Sequence, residues 1–201
     1  MRAFASPEQD DPAAAYDGSV DVAIPLPAPP LAGPGFVLRP FRAADFEAAR
    51  ELERDAAAAR WLPPLPAADG PGVVAFYEEC RREGSLLHLA IADSATDAYL
   101  GETMLAVGEQ RVGETGCCVV PAARRLGIAT GALRVLTDWA FSDLGLPRVQ
   151  VFVATGNTAA VGLAERSGFL REGTLRAYWD GPAGREDVVV LARLPGDPRQ
   201  A

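Results

Sequence analysis

The chain has 201 residues and a net charge of −8, from 19 basic and 27 acidic side chains, and every basic residue is arginine. The absence of lysine excludes a phosphate-loop lysine, a Schiff base and a lysine nucleophile, the single histidine His88 excludes a two-histidine zinc motif, and Cys80, Cys117 and Cys118 lack the number and spacing of a structural zinc site or a disulfide framework. An acidic chain without a basic stripe is expected to bind neither nucleic acid nor an anionic membrane, and without an apolar run of about 18 residues or an export signal it is expected in the cytoplasm.

Residues 1–34 read as a tail. They hold seven prolines and five acids against Arg2, a composition that resists burial. A domain is expected over 35–195, with a short second tail at 196–201. Phe36–Pro40 reads as a strand, and Asp45–Arg60 as an alanine-rich helix with Phe46, Ala49 and Leu52 on one face. The proline cluster Pro63, Pro64 and Pro66 is expected to end it. A second helix over Val73–Arg82 places Val73, Phe76, Tyr77 and Cys80 together. Leu86–Ala92 and Tyr99–Val107 alternate as strands about a polar turn, and Thr115–Val120 is a strand that stops at Pro121. A third helix is predicted over Leu126–Leu144, closed by Gly145 and Pro147. Arg148–Ala154 is a strand, Thr158–Arg166 a short helix, and Leu170–Tyr178 and Asp187–Arg193 are final strands. Antiparallel strands early and a β-α-β-α unit late give an α/β (α+β) fold with a mixed sheet in one domain.

The chemistry concentrates between Val119 and Thr130. A buried strand ends, proline forces a turn, and a helix begins at a glycine. First-turn N–H groups have no intrahelical partners and lie at the positive end of the helix dipole, so such a terminus binds phosphate without lysine. Gly127 lets a bulky anion approach, small Ala129 keeps the flank clear, and Arg124 and Arg125 add charge. The residues Arg125, Leu126, Gly127, Ile128, Ala129 and Thr130 thus read as a diphosphate cradle. A structural turn is the plain alternative for the same residues.

With Arg124, Gly127 and Ala129 in an R-x-x-G-x-A pattern, after Val119 and Pro121, the chain resembles the GNAT superfamily of acyl-CoA-dependent N-acyltransferases. Asn157–Ala160 and Ala164–Phe169 are similar to the N-x-x-S…A-E-x-x-G-F segment of its RimJ/RimL-like branch. The likeness spans about residues 36–194. It implies a splay between two parallel strands, here Thr115–Val120 and Arg148–Ala154, into which the pantetheine arm inserts. Main-chain groups of Cys117, Cys118 and Val119 would then meet pantetheine and the thioester carbonyl, one N–H stabilising the oxyanion, and Asn157 would bond the arm.

The implied reaction is direct attack by a neutral primary amine, from a protein N-terminus or a small molecule, on acetyl-CoA, without a metal. Glu114 is the expected base acting through water, with Glu102 second; both also read as surface acids at strand ends. The positions that usually carry the general acid are Ala160 and Ala164, which cannot donate a proton. The resemblance leaves a homodimer open. Two other readings stay open as well: an acyl-CoA-binding module with weak or lost catalysis, and a nucleotide-binding interaction domain using the same cradle. Cys117 and Cys118 are expected to be small buried hydrophobes rather than nucleophiles, His88 a packed residue facing away from Leu87 and Leu89, and Asp187 the anchor of a turn.

Overall fold

A computed structural model of the chain describes residues 23–62, 64–181 and 184–198. Its strands are β1 (Ala32–Gly33), β2 (Phe36–Pro40), β3 (Leu86–Asp93), β4 (Tyr99–Val107), β5 (Val112–Val119), β6 (Arg148–Ala154), β7 (Leu170–Gly181) and β8 (Gly184–Arg193), and its α-helices are α1 (Phe46–Arg54), α2 (Gly70–Arg82), α3 (Ile128–Ser142) and α4 (Thr158–Arg166). The strands make one sheet in the order β1-β2-β3-β4-β5-β6-β8-β7. All neighbours pair antiparallel except β5 and β6. This is the expected mixed sheet with one parallel pair.

Strand alternation divides the side chains between two helical layers. Leu87, Leu89, Ile91, Leu105, Val149, Val151, Val153 and Leu191 form a core with Ala132 and Leu136 of α3 and Ala164 of α4 on one face. On the other face, Ala90 packs with Ala49 of α1, Val73 of α2, Phe41 and Leu65. The second layer covers β3 and β4 and, among the described residues, leaves the β5–β8 half of that face without a helix. No helix among the described residues is long and apolar enough to cross a membrane.

Several elements differ from the sequence reading. The first helix ends at Arg54 rather than Arg60, because Asp55 is extended (φ −64°, ψ 122°) and its carboxylate accepts from Ala58 N at 3.1 Å. That bond offers the alanines a turn in place of the helix. The second helix begins at Gly70, three residues early, under an Asp69 cap that accepts from Gly72 N at 2.9 Å. Phe76 is 48% exposed and leaves the buried face to Val73 and Tyr77. The tail expected over 1–34 falls outside the described residues for its first 22; beyond them Ile24 is buried, and it exchanges bonds with Arg81 in both directions.

In β4 an extra residue at Leu100 breaks the register with β3. Gly101 follows at φ +150°, where an added Cβ would lie 2.2 Å from the Cys118 carbonyl oxygen. That backbone contact cannot yield, so Gly101→Ala is expected to cost about 3 kcal/mol, read as a lower urea midpoint. An unchanged midpoint would mean that β4 and β5 need not approach this closely.

Candidate functional site

The parallel pairing of β5 with β6 covers Val112–Arg148, Gly113–Val149 and Glu114–Gln150, and then stops. No β6 residue pairs with Thr115–Val119. Backbone alternation fixes what faces the opening. Val120 N donates to Leu100 O at 2.9 Å and Gly108 N to Val112 O at 3.0 Å. In the observed register, even-numbered β5 residues therefore bond β4, with Cys118 opposite Glu102. The N–H and C=O groups of Cys117 and Val119 then turn toward the gap. Of the three residues expected there, Cys118 is corrected: its main chain belongs to the β4 ladder. Burial pushes the Cys118 thiol up to about 11 and raises Cys117 as well, so both stay protonated and neither is a ready nucleophile.

Because β5 and β6 run parallel, the helices that follow them start at the same end of the sheet. Gly127 caps α3 at φ +80° with no atom within 4 Å of a Cβ position. The first intrahelical bond runs from Gly131 N to Gly127 O at 2.9 Å, leaving the N–H groups of Ile128, Ala129 and Thr130 without helical acceptors. Arg125, Leu126 and Gly127 are exposed, while the Ile128 side chain turns into the core. Arg125 makes no hydrogen bond or ion pair with a described residue. Arg124 sits otherwise: its Nη2 bonds Asp55 Oδ1 at the end of α1. Asn157 caps α4, its Oδ1 accepting from Ala160 N at 3.1 Å, which leaves its amide nitrogen to donate to a ligand. The open helix terminus and the unpaired strand edge suit a diphosphate followed by an amide-bearing arm.

The helix-free half of the sheet face carries Glu114, Gly116 and Cys118 from β5 beside Gln150 and Phe152 from β6. Glu114 stands where the two strands part. It is half-buried, burial raises its pKa, and it bonds no described side chain. Glu102 lies deeper. Its Oε2 accepts from Tyr99 OH at 2.9 Å and lies 3.6 Å from His88 Nε2. Desolvation lifts Glu102 to about 7 and drops His88 to about 3. His88 is neutral, stacked on Tyr77 with centroids 3.8 Å apart, and faces away from Leu87 and Leu89 as expected.

For Glu102 the linkage has a definite sign. Between pH about 4.5 and 7 the folded protein keeps a proton that the unfolded chain releases, so stability falls as pH rises through that window. Glu102→Gln keeps an acceptor for Tyr99 and removes this loss. It is expected to add on the order of 2 kcal/mol at pH 8 and nothing near pH 4.5, measured by urea unfolding at both. An equal effect at both pH values would contradict it.

Two features escaped the sequence reading. One is the Asp55–Arg124 pair, whose members are 69 residues apart. The other is a bulge in β7, where Arg176, Ala177 and Tyr178 oppose Asp187 alone. Asp187 accepts from Ala177 N at 2.7 Å and Arg185 Nε donates to Ala177 O at 3.0 Å. Asp187, expected to anchor a turn, lies within β8 and anchors this bulge instead. The bulge stacks Tyr178 on Phe152, with centroids 5.9 Å apart, and Phe152, between the core residues Val151 and Val153, lines the open face.

A mixed sheet parted between its parallel strands, with an open helix start at the mouth, has the architecture of an acyl-CoA-dependent acyltransferase. The chain belongs to the GNAT acetyltransferase family: the family description "Acetyltransferase (GNAT) domain" matches residues 36–170. It is an N-acetyltransferase of that family, which uses acyl-CoA. A Bacillus subtilis (strain 168) relative, "Probable N-acetyltransferase YjcK", is 29% identical over 127 residues, covering 62% of this chain and 70% of that one. In fold the chain is similar to Mycobacterium smegmatis RimJ in complex with CoA-disulfide, with TM-score 0.72 and 24% identity over 86% of this chain and 88% of that one. It is also similar to Vibrio cholerae spermidine N-acetyltransferase in complex with CoA and spermine, with TM-score 0.69 and 22% identity over 82% and 98% of the two chains.

Proposed function

We propose that this enzyme transfers an acetyl group from acetyl-CoA to a primary amine, a protein N-terminus or a small molecule, by direct attack in a ternary complex. The observation that carries the reading is the parting of β5 from β6 after Glu114, which leaves the Cys117 and Val119 main chain facing a gap that leads to the open start of α3. The N–H groups of Ile128, Ala129 and Thr130, with Arg125, would hold the diphosphate. Cys117 and Val119 would pair with the pantetheine amides, and an N–H there would stabilise the tetrahedral oxyanion. Glu114 would take the proton of the attacking amine through water. The amine forms its bond to the thioester carbon, the C–S bond breaks, and the thiolate takes a proton from solvent.

RimJ and a spermidine acetyltransferase among the similar structures make a peptide N-terminus and a polyamine the first acceptors to try. The acidic chain suits a cationic acceptor by steering it inward. Thiol release from acetyl-CoA, measured with spermidine and with peptides bearing a free N-terminus, tests the reading. A second reading has its own support. Ala164 is buried and Ala160 packs against the same core, and a methyl side chain has no proton to offer the leaving thiolate. CoA binding without release that depends on an added amine would favour an acyl-CoA-binding module.

A further inference from the structure

The segment 55–62 between α1 and α2 crosses the half of the sheet face that no helix among the described residues covers. At one end Asp55 Oδ1 receives both Arg124 Nη2, from the β5–α3 loop, and Ala58 N at 3.1 Å. At the other, Arg60 Nη2 lies 2.7 Å from Glu186 Oε1 on β8, and its guanidinium stacks on Trp61 at 4.5 Å from the ring centroid. The Trp61 ring reaches to 3.8 Å from where a Cβ on Gly156, in the β6–α4 turn, would sit. In the sheet order β5 and β8 flank β6, and Glu186 shares the face of Val188, which pairs with Ala154 beyond Phe152. The segment is therefore a strap that straddles the β5/β6 opening on the side of Glu114.

We infer that Asp55 and Arg124 form a clasp positioning this strap as the wall of the acceptor path, and that Arg124 is not a ligand of the donor diphosphate. This rests on the donor-cradle reading above. The charge argument is direct. The Arg124 guanidinium is matched by a carboxylate that also holds the first turn of the strap, whereas Arg125 beside it is exposed and makes no hydrogen bond or ion pair with a described residue. A diphosphate that took Arg124 would leave Asp55 without its cation and loosen the strap. The open α3 terminus and Arg125 hold an anion without that loss. An ion pair joining two loops stabilises by fixing their spacing, so its loss is read in what the loops enclose. Arg124 and Asp55 are positioning residues for the acceptor.

The test uses the full chain with Asp55→Asn, Arg124→Ala, both together, and the charge swap of Asp55→Arg with Arg124→Asp. CoA binding is measured by calorimetry, KM and kcat with spermidine and with an alanine-starting peptide, and strap release by the rate of tryptic cleavage after Arg60. Each single change is expected to speed that cleavage and to raise the acceptor KM by about fivefold or more, with kcat and CoA affinity within about threefold of the parent. The double variant should be no worse than either single one, and the charge swap should recover most of the loss. Tenfold weaker CoA binding in Arg124→Ala, tighter CoA binding in Asp55→Asn, or unchanged cleavage would overturn the clasp. Gly127→Trp, measured alongside, separates the two ideas: if it leaves CoA affinity intact the cradle fails, while the clasp is judged on cleavage and acceptor KM.

Discussion

Glu114→Gln is expected to lower kcat by a factor on the order of 10²–10⁴, with the deficit largest at low pH. An ammonium has no lone pair, so turnover requires the amine to lose a proton before or during attack. Glu114 stands where β5 leaves β6, its pKa raised by burial and no described side chain bonded to it. A raised carboxyl is a better base once ionised, so the parent loses activity as pH falls through that elevated value. Glutamine has the same shape and cannot accept the proton. The variant then depends on amine that is already neutral, and its rate should climb with pH until the acceptor's own pKa is passed. Initial rates across pH 6–10 at saturating acetyl-CoA, on the order of one unit apart, show the difference. Parallel profiles for parent and variant would remove Glu114 from proton transfer and turn attention to Glu102, which is more deeply buried and already bonded to Tyr99.

What the sequence disclosed and what it withheld divide by range. The strand Arg148–Ala154 and the helix Thr158–Arg166 stand where periodicity placed them, because alternation and helical spacing are local. The start of α3 was legible to within two residues for the same reason, expected at Leu126 and found at Ile128 behind the Gly127 cap. Asp55 shows the limit. Four alanines after it favour helix, yet its carboxylate answers a guanidinium from a loop 69 residues away, and the helix stops. Nothing near Asp55 signals Arg124. The strap that results, and with it the acceptor wall, was therefore invisible. The same holds for the three-residue bulge of β7, which breaks the alternation that would reveal it and hands Tyr178 to Phe152. Cys118 illustrates a finer loss: the motif places residues 117–119 at the cleft, but which of them present main chain depends on the register with β4, a pairing between two strands that neither strand's own pattern fixes.

Gly127→Trp is expected to weaken CoA binding by about 30- to 100-fold, a loss of about 2–3 kcal/mol, while leaving the acceptor KM within about twofold. Two separate causes combine. At φ +80° a side chain strains the backbone by about 1 kcal/mol, and this falls on the residue that aims the free N–H groups of Ile128, Ala129 and Thr130. The indole then occupies the space over the helix start that is empty for 4 Å around a Cβ position, which is where a diphosphate must sit to meet those donors. Because that space is solvent and not core, the fold should survive, with a melting temperature a few degrees lower at most; Gly127→Ala, which carries the strain without the bulk, should show only the smaller part of the loss. Calorimetry with CoA at two salt concentrations measures both contributions, since the charged component fades with ionic strength and the steric one does not. Binding that persists undiminished in the tryptophan variant would place the diphosphate elsewhere, and Arg125 and the α3 terminus would lose their assignment together.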